Sequence, residues 1–425
     1  MINVALIGFG NVGQGVYNIL TQNIELLTQR VGQPIQISKI AVRSPKKYQD
    51  LVPQSLLTTD IDAILMDPHI DIIVEVMGGD TPAFDYICTA LKNKKYVVTA
   101  NKEVVSKHKK TFFSLSKENG VDIYYEASVG GGIPIIRSLK VGLAANRIDH
   151  IAGILNGTTN YMLTKIETEQ QPFEVILKDA QDAGFAEADP TMDIDGIDAA
   201  HKLVILAAVA FKADVQLSDL HYEGIRHISL ADIQYADALG YKIKLLALGH
   251  RQENDHLSLR VHPTLIQKAH LLANINNEVN AAYISGNAVG EVLLSGKGAG
   301  GSPTGSAVVS DIIDIAFDLS QKINRRNLET ELHQMKLTPI THLSSQYYIR
   351  LSAADEPQML EKITHELSQA NISILTLSQP APQDGLAEII IITHHTQEKN
   401  FNETIKKLNQ LDKISVINTI RVGLN

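Results

Sequence analysis

The sequence predicts an α/β protein in three successive parts: an N-terminal parallel sheet, an α+β middle domain and a small C-terminal βαββαβ domain. Three observations support this prediction. Short apolar runs alternate with helical patterns in the first third, helices precede strands in the middle, and a polar stretch at 324–346 separates off the tail. A chain of 425 residues is too long for a single core, so two or three domains are expected.

The first domain is expected to comprise residues 1–133 and a returning helix at about 305–323. Its alternation of strands and helices implies a parallel sheet with helices on both faces. The predicted strands are Ile2–Ile7, Ile35–Val42, Ile70–Val76, Tyr96–Thr99 and Val121–Tyr125. The predicted helices are Val12–Gln29, Pro82–Lys92, Lys102–Glu118 and, packing back on this domain, Ser306–Leu319.

The middle domain is expected at 134–304, with helices first and an antiparallel meander after them. Its predicted helices are Pro134–Ala144, Thr158–Glu167, Phe173–Asp182 and Ile197–Phe211, and its predicted strands are Lys244–His250, Leu257–His262, Val279–Ser285 and Val289–Leu294. A linker at 324–346 leads to a separate domain at 347–425, a size within the usual range for domains. Its predicted elements are Tyr347–Ala353, Met359–Ala370, Ile374–Gln379, Glu388–His394, Asn402–Leu411 and Val416–Val422.

Charge and composition exclude several classes of protein. The net charge of −9 argues against a nucleic-acid partner, which needs a basic face. No apolar run reaches the roughly 18 residues of a membrane span. The single cysteine, Cys88, leaves no disulfide framework and fits a reducing compartment. Because an apolar strand pattern follows Met1 directly, no signal peptide is evident, and a cytoplasmic location is expected.

A glycine-rich turn follows the first predicted strand. The segment VALIGFGNVGQG places Gly8, Gly10 and Gly13 in the spacing GxGxxG, directly before a helix. The first glycine permits the tight turn, the second lets the backbone approach a pyrophosphate, and the third lets helix and strand pack closely. The anion would lie at the helix N-terminus, where free N–H groups favour negative charge. This context predicts a dinucleotide-binding site.

The end of the second strand bears on which dinucleotide binds. NAD sites usually have an acidic residue there to bind the ribose 2′-hydroxyl. Here the strand ends IAVRSPKK, with Arg43, Ser44, Lys46 and Lys47. An arginine can hold a 2′-phosphate through two hydrogen bonds, so NADP(H) is favoured. Binding of NAD(H) stays open as an alternative. The basic residues could also be solvated cations of a turn without a role in binding.

Two further strand ends carry candidate site residues. Lys102 follows Asn101 at the end of a strand, where ligands of open α/β sheets bind; a surface lysine at a helix start is the alternative. Glu126 precedes Gly130–Gly132, and the carbonyl groups of so glycine-rich a turn, with the glutamate, suit a hard monovalent cation such as Na⁺ or K⁺. A purely structural turn is the alternative for this second segment.

The stretch GFAEADPTMDIDGIDAAHK, from Gly184 to Lys202, is unusually acidic. An EF-hand calcium loop anchored on Gly196 would have Thr191 at position 1 and Lys202 at position 12. A lysine in place of the bidentate glutamate excludes calcium binding of that type. The acids therefore need another explanation.

The helix after Gly196 is apolar nearly all round, which indicates a buried helix. Asp198 and Lys202 are four residues apart and thus share one face. Buried charges are costly unless they are paired, so a catalytic pair is favoured over a structural ion pair. Lys202 could then donate a proton to a carbonyl oxygen that receives hydride. Glu187 could bind a substrate ammonium group or belong to a solvated loop.

Taken together, these motifs resemble those of the homoserine dehydrogenase family. The carriers of this resemblance are Ala180, Gly184–Pro190, Asp193, Ile194, Gly196, Asp198 and Lys202, together with the blocks GILNGTTNY, TANK, EASVGGGIP and GAGGSPTGSAVVSDI. The motifs follow in order over residues 1–320. The resemblance implies the NAD(P)-dependent interconversion of L-aspartate 4-semialdehyde and L-homoserine, a shared step towards threonine, methionine and isoleucine.

The resemblance also implies roles for individual residues. It assigns Lys202 as proton donor, Asp198 as the residue that positions it, and Lys102 as a catalytic contact of cofactor and substrate that could share the proton transfer. The substrate site would comprise Glu187, Asp193, Asn156, Gly157, Thr158 and Gly184. The expected cofactor site comprises Gly8, Phe9, Gly10, Asn11, Val12, Gly13, Arg43, Thr99, Lys102 and Gly301. Glu126 and the carbonyls of Val129, Gly131 and Ile133 match the family's sodium site.

The tail resembles an ACT domain, a small module that binds amino-acid effectors. Such domains carry Asp-x-Pro-Gly at the first strand-to-helix turn, whereas this chain has Asp355-Glu356-Pro357-Gln358. The Cβ of Gln358 fills space that glycine leaves open, which argues against feedback inhibition by an amino acid. A homodimer or homotetramer is expected from the resemblance. An imine dehydrogenase of the diaminopimelate type and a non-catalytic amino-acid sensor remain as alternative functions.

Overall fold

The computed structural model describes residues 1–252, 255–323, 331–382 and 384–424. Residues 324–330 of the predicted linker and Asn425 of the predicted tail domain lie outside the described residues. In the described part, no helix combines the length and the apolar composition that a membrane span requires.

The elements are numbered here in chain order. The strands are β1 (Ile2–Ile7), β2 (Ile35–Ala41), β3 (Leu57–Thr58), β4 (Ile72–Glu75), β5 (Tyr96–Thr99), β6 (Ile123–Tyr124), β7 (Ile148–Ile154), β8 (His221–Tyr222), β9 (Tyr241–Arg251), β10 (Leu257–Gln267), β11 (Val279–Gly286), β12 (Gly290–Lys297), β13 (Ser344–Ala354), β14 (Ile374–Ser378), β15 (Leu386–Thr393), β16 (Thr396–Gln397) and β17 (Ile414–Val422). The helices are α1 (Asn11–Gln22), α2 (Ile24–Val31), α3 (Ile61–Met66), α4 (Ala83–Lys92), α5 (Lys102–Asn119), α6 (Ile135–Arg137), α7 (Gly157–Glu169), α8 (Phe173–Asp182), α9 (Thr191–Ile194), α10 (Ile197–Phe211), α11 (Leu230–Ala238), α12 (Gly301–Ser320), α13 (Met359–Gln369) and α14 (Glu398–Leu408).

The chain divides into two compact units. The first comprises Met1–Ile148, His201–Leu217 and Gly286–Gln334, and the second comprises Asp149–Ala200, Ser218–Ser285 and Met335–Asn425. These units interleave along the sequence, whereas the predicted domains are nearly consecutive segments. The division at 133, 304, 324 and 347 stays a prediction about sequence domains.

The first unit contains the predicted parallel sheet. Its strands are ordered β3-β2-β1-β4-β5-β6, and all of their pairings are parallel. The short strand β3 and helix α3 were not predicted. The predicted helix Val12–Gln29 is wrong, because the helix ends at Gln22 and a second one begins at Ile24. Asn23 interrupts them outside helical geometry, in keeping with the preference of asparagine for helix ends.

Helix α12 packs against α1 through glycines, which confirms the predicted return of a late helix to the first unit. A Cβ on Gly15 would lie 2.1 Å from the carbonyl oxygen of Gly301, and one on Gly305 would lie 2.8 Å from the carbonyl carbon of Gly15. The predicted helix Pro134–Ala144 is instead a short α6 followed by a π-helical turn at Ser138–Gly142. There the N–H of Leu143 donates to the carbonyl of Ser138 over 2.7 Å.

The second unit contains a mixed sheet whose strands follow the order β11-β7-β9-β10-β17-β13-β15-β14. The predicted antiparallel pairing of β9 with β10 is confirmed along their full length. Strand β7 and helix α11 were missed. The last strand of the tail, β17, pairs in parallel with β10 through Thr264–Arg421 and Leu265–Val422. The tail therefore shares a sheet with strands of the middle segment.

The predicted βαββαβ order of the tail is confirmed, with the two-residue strand β16 added. The tail has its own core, in which one face of the sheet packs against two helices; its members include Tyr347, Ile349, Leu351, Ile363, Leu367, Ile391, Phe401 and Leu408. Amphipathic helices with apolar residues at three- and four-residue spacing produce this packing. The α/β fold class with an N-terminal Rossmann-type sheet and a C-terminal ACT-like domain is thus confirmed.

Candidate active site

The glycine-rich turn between β1 and α1 has the geometry that its spacing predicts. Gly8 has φ +105°, and a Cβ there would lie 2.8 Å from the carbonyl oxygen of Val76. A Cβ on Gly13 would lie 2.6 Å from the carbonyl oxygen of Gly8. Gly10, the N-cap of α1, meets nothing within 4 Å. Two glycines are therefore needed for packing, and the third leaves open space before the first N–H groups of the helix.

A cavity of about 500 Å³ opens beside this turn within the first unit. Arg43, Ser44 and Lys47 line one part of it, beyond the end of β2. The ring of Tyr48 packs edge-on against Phe9 with centroids 5.3 Å apart. The other lining residues include Gly8, Gly10, Val42, Thr59, Val76 and Pro82. The cavity places cations and an aromatic ring next to the anion-binding end of α1, an arrangement that fits a dinucleotide.

The ends of β4 and β5 are tied together by a buried carboxylate that the sequence analysis missed. Glu75 accepts hydrogen bonds from the Thr99 hydroxyl at 2.6 Å and from the backbone N–H of Met77 at 2.8 Å. Burial raises the pKa of Glu75. Its position as the last residue of an apolar strand was the available signal. Thr99, predicted to contact the cofactor, has its hydroxyl committed to this carboxylate.

Asn101 positions the start of the helix that carries Lys102. Its side-chain oxygen accepts from the N–H of Val104 at 3.2 Å, and its amide group donates to the carbonyl of Gly79 at 2.6 Å. Lys102 is the first residue of α5, directly beyond the carboxyl end of β5. Gly301 begins α12, and a Cβ on it would lie 2.6 Å from the carbonyl oxygen of Asn11. Gly301 therefore packs against the first turn of α1.

The predicted cation site contains a buried pair of acids. Both carboxylate oxygens of Glu126 accept backbone N–H groups, from Ile136 at 2.8 Å and Arg137 at 2.6 Å. The backbone N–H of Glu126 in turn donates to Asp311 at 3.0 Å. Burial raises the pKa of both acids, and for Asp311 the charge of Glu126 raises it further. A cation beside them would lower both pKa values and so favour the ionised carboxylates.

The groups available as ligands limit which cation could bind at this site. Among the described residues, no three His, Cys, Asp or Glu side chains gather into a metal site. A cation would therefore depend on backbone carbonyls, as the sequence predicts for Val129, Gly131 and Ile133. Of these, the carbonyl of Ile133 also accepts the N–H of Ile135 at 2.8 Å. Carbonyls and one carboxylate suit a hard monovalent ion, and Glu126 keeps lone pairs for it.

In the second unit, Asn156 connects two other predicted site residues. Its amide group donates to Asp193 at 2.7 Å and to Asp198 at 2.9 Å. Its side-chain oxygen accepts from the N–H of Thr159 at 2.8 Å and so caps α7. One asparagine thus orients two carboxylates that are 37 and 42 residues away in sequence. The next residue is Gly157. A Cβ at this position would lie 2.9 Å from the carbonyl oxygen of Glu278.

The segment that precedes the acids is attached to the start of α7. The hydroxyl of Thr158 donates to the carbonyl of Phe185 at 2.8 Å, and the ring of Phe185 stacks on Tyr161 with centroids 4.4 Å apart. Gly184 has φ +76° and open space around it. Glu187 follows as an exposed residue. The structure therefore holds the backbone of this segment close to Thr158 and leaves the Glu187 side chain accessible.

The two acids without an assigned role have local partners. Asp189 accepts a hydrogen bond from the N–H of Thr191 at 3.1 Å, at the start of α9. The hydroxyl and the N–H of Thr191 lower the pKa of Asp189. Asp195 pairs with Arg226. Both are engaged in holding turns.

Helix α10 is buried, as predicted. Asp198 lies in its first turn with 2% of its surface exposed, and Lys202, one turn later, is 9% exposed. Between them His201 lies 2.7 Å from the hydroxyl of Ser106. The sequence analysis missed His201, because an isolated histidine on an apolar helix is not distinguishable from a core residue.

Family models match most of the chain. A model of the homoserine dehydrogenase catalytic domain matches residues 134–313, a model of the homoserine dehydrogenase NAD-binding domain matches 8–126, and an ACT domain model matches 347–413. The chain is 39% identical to the homoserine dehydrogenase of Bacillus subtilis over 428 residues, covering 100% of this chain and 99% of that protein. It is 40% identical to that of Pseudomonas aeruginosa, covering 97% and 96%.

Solved structures give the same result. The homoserine dehydrogenase of Thiobacillus denitrificans superposes with a TM-score of 0.94 at 42% identity, covering 99% of this chain and 98% of that one. A hyperthermophilic archaeal homoserine dehydrogenase in complex with NADPH has a TM-score of 0.64 at 27% identity, covering 75% and 98%. With these matches to both family models and to full-length relatives, the chain belongs to the homoserine dehydrogenase family of NAD(P)-dependent oxidoreductases.

Proposed function

We propose that the chain catalyses the reversible, NAD(P)H-dependent reduction of L-aspartate 4-semialdehyde to L-homoserine. The observation that carries this proposal is the pair of carboxylates, Asp193 and Asp198, that Asn156 holds at the start of the buried helix bearing Lys202. A buried lysine one turn after a fixed carboxylate is suited to proton transfer. A protein that only senses amino acids has no need of such a group.

The proton is assigned to Lys202. When bound, the nicotinamide supplies hydride to the aldehyde carbon, or accepts it from homoserine in reverse. Lys202 gives its proton to the carbonyl oxygen during reduction and takes it back during oxidation. Asp198 orients the ammonium group and stabilises its charge, and Asn156 in turn keeps Asp198 in one position. Because the donor is fixed before the substrate arrives, little reorganisation is needed during the reaction.

The remaining residues bind and orient. Glu187 contacts the ammonium group of the substrate, and Asp193 completes this polar site together with Gly157, Thr158 and Gly184. Lys102, at the strand end where ligands of α/β sheets bind, contacts cofactor and substrate. The exposed position of Glu187 lets it engage a substrate that arrives from solvent.

NADP(H) is proposed as the preferred cofactor, with NAD(H) as the weaker one. Arg43, Ser44 and Lys47 line the cavity beyond β2, where a 2′-phosphate would be placed by the strand order of this fold. An archaeal relative is described in complex with NADPH. Guanidinium groups bind phosphate through paired, charge-assisted hydrogen bonds, so Arg43 is the residue assigned to this preference.

Three further assignments accompany this function. A Na⁺ or K⁺ ion would be held by Glu126 and the carbonyls of Val129, Gly131 and Ile133, where its charge would stabilise the ionised carboxylates. The protein works in the cytoplasm as a homodimer or homotetramer. The ACT-like domain serves association rather than feedback inhibition, since Gln358 replaces the glycine of the effector turn and takes up its left-handed backbone, with φ +76°.

Initial rates test the function directly. Purified protein is assayed with L-homoserine at pH 7.5 against NADP⁺ and NAD⁺, with and without threonine. The proposal expects homoserine-dependent reduction of both cofactors, a higher kcat/KM for NADP⁺ and no inhibition by threonine. Absence of turnover with homoserine, or turnover only with a diaminopimelate-type amine, would contradict it.

A further inference from the structure

Lys244 is a buried lysine that the proposed chemistry does not use. It lies in β9, opposite Thr264 of β10, with 2% of its surface exposed. Its ammonium group donates to the carbonyl of Ile275 at 2.6 Å, to the side-chain oxygen of Asn160 at 3.1 Å and to that of Asn276 at 3.3 Å. Three acceptors use all three N–H groups of an ammonium ion, whereas a neutral amine has only two.

Asn160 extends this contact. Its amide group donates to the carbonyls of Ile275 at 3.1 Å, Asn277 at 2.9 Å and Val279 at 3.1 Å. The ammonium of Lys244 binds the oxygen of the same amide and so fixes which end of it faces the loop. Lys244 and Asn160 together hold the segment 275–279, and Asn160 lies in the first turn of α7.

The held segment lies against the substrate turn, defined here as Asn156–Thr158. A Cβ on Gly157 would lie 2.9 Å from the carbonyl oxygen of Glu278 and 3.4 Å from the side-chain oxygen of Asn280. A shift of this segment would therefore displace Gly157 and, with it, the neighbouring Asn156. Since Asn156 orients Asp193 and Asp198, the displacement reaches the carboxylates of the active site.

The three acceptors of Lys244 are neutral, so its charge is stabilised by hydrogen bonds alone at short range. Burial lowers the pKa of Lys244 to about 8, Glu167 on α7 opposes this, and Lys242 on the same strand adds to it. Glu167 and Lys242 are paired with each other. The facing β10 residue is Thr264, which is uncharged, and the segment 275–279 presents carbonyls and an amide.

We propose that Lys244, as an ammonium ion, is a positioning residue that locks the segment 275–279 behind the substrate turn and thereby keeps Asn156 aligned with Asp193 and Asp198. This inference rests on the proposed function for its catalytic readout. Loss of one proton from Lys244 removes one of its three donors and loosens the segment, so turnover of homoserine acquires an alkaline limit near pH 8.

The test is the pH profile of kcat/KM for homoserine in three variants. Lys244→Met keeps a side chain of similar length but removes the N–H donors. It is expected to lower kcat/KM at least tenfold at pH 7.5, with KM for NADP⁺ unchanged. Lys244→Arg keeps the charge to above pH 12, and is expected to retain activity but to lose the alkaline limit. Lys178→Met, at an exposed lysine on α8 that pairs with Asp182, is the control and keeps the wild-type profile. A Lys244→Met variant within twofold of wild type, or an unchanged alkaline limit in Lys244→Arg, would overturn the proposal.

Hydrogen exchange of the unaltered protein gives a second measurement that needs neither folding of a variant nor turnover. After correction for the intrinsic effect of pH, amides of 275–280 should lose at least tenfold protection between pH 7 and pH 9.5, while those of β9 and β10 keep theirs. Equal protection at both pH values overturns the lock. Loss of protection in a protein that does not oxidise homoserine would instead place the failure in the proposed function.

Discussion

Two turns in this protein precede helices that begin at proposed ligand sites, but they are held in different ways. The dinucleotide turn (residues 8–13) is fixed by backbone packing, since added Cβ atoms at Gly8 and Gly13 would meet carbonyl oxygens at 2.8 and 2.6 Å. The substrate turn (Asn156–Thr158) shares one such close approach, of Gly157 to the carbonyl of Glu278, but it is fixed in addition by side-chain hydrogen bonds to distant acids and by the Thr158 contact to Phe185. Steric fit makes the first turn sensitive to added atoms, and polar bonding makes the second sensitive to charge.

The largest expected loss of activity comes from a residue that lies outside both turns, Lys202. Replacement Lys202→Ala removes the proposed proton donor, and general acid catalysis contributes roughly 10²- to 10⁴-fold. We therefore expect kcat to fall by about 10²-fold or more, while NADPH binding, measured by fluorescence titration, stays within twofold of wild type. The exposed Lys178→Ala on α8 is the control and should retain full activity. Near-normal turnover in Lys202→Ala would refute its role as proton donor.

The next effect tests the polar nature of the substrate turn. In Asn156→Asp the capping oxygen is kept, so any loss of stability comes from the added buried charge and not from the helix cap. The donor to Asp193 and Asp198 is replaced by a third negative charge. Because hydrogen bonds to charged groups contribute about 1.5–3 kcal/mol, kcat/KM for homoserine should fall roughly ten- to hundredfold. Steady-state kinetics and a melting curve measure the two effects separately.

Asn23→Asp, an exposed change of the same kind in the first unit, is the control for Asn156→Asp. It should leave both kcat/KM and the melting temperature at wild-type values. An Asn156→Asp enzyme with kcat/KM within twofold of wild type would show that the amide does not orient the carboxylates.

The steric nature of the dinucleotide turn predicts opposite behaviour at two of its glycines. Gly13→Ala forces a Cβ against the carbonyl of Gly8, and overpacking of this kind costs about 1–3 kcal/mol of stability. Gly10→Ala meets nothing within 4 Å and should fold normally, yet its methyl group occupies space needed by the pyrophosphate and raises KM for the cofactor. Urea unfolding and cofactor kinetics distinguish them; equal stability of both variants would argue against the packing account.

The same contrast explains what could be predicted from the sequence. The dinucleotide turn, its strand and its helix are neighbours in sequence, so spacing and local propensity sufficed to predict them. The spacing of Asp198 and Lys202, one turn apart on a buried helix, was equally local. The contacts of Asn156, Glu75 and Lys244 join residues 24 to 84 positions apart. Such contacts depend on how strands and helices are arranged, and no pattern within one element indicates them.

Replacement of Gln358 should change the free energy of unfolding slightly. It tests whether backbone conformation also determines the stability of a turn outside the first unit. It lies before α13 with φ +76°, in the left-handed region. That conformation costs a residue with a side chain roughly 1–2 kcal/mol, against which glycine loses about 0.5–1 kcal/mol of chain entropy on folding. Gln358→Gly should therefore raise the free energy of unfolding by up to about 1 kcal/mol. Gln369→Gly, at the other end of the same helix and in right-handed geometry, should lower it by about 1 kcal/mol instead. Thermal melting measures both, and destabilisation by both changes would mean that the glutamine side chain stabilises this turn by more than its backbone strain costs.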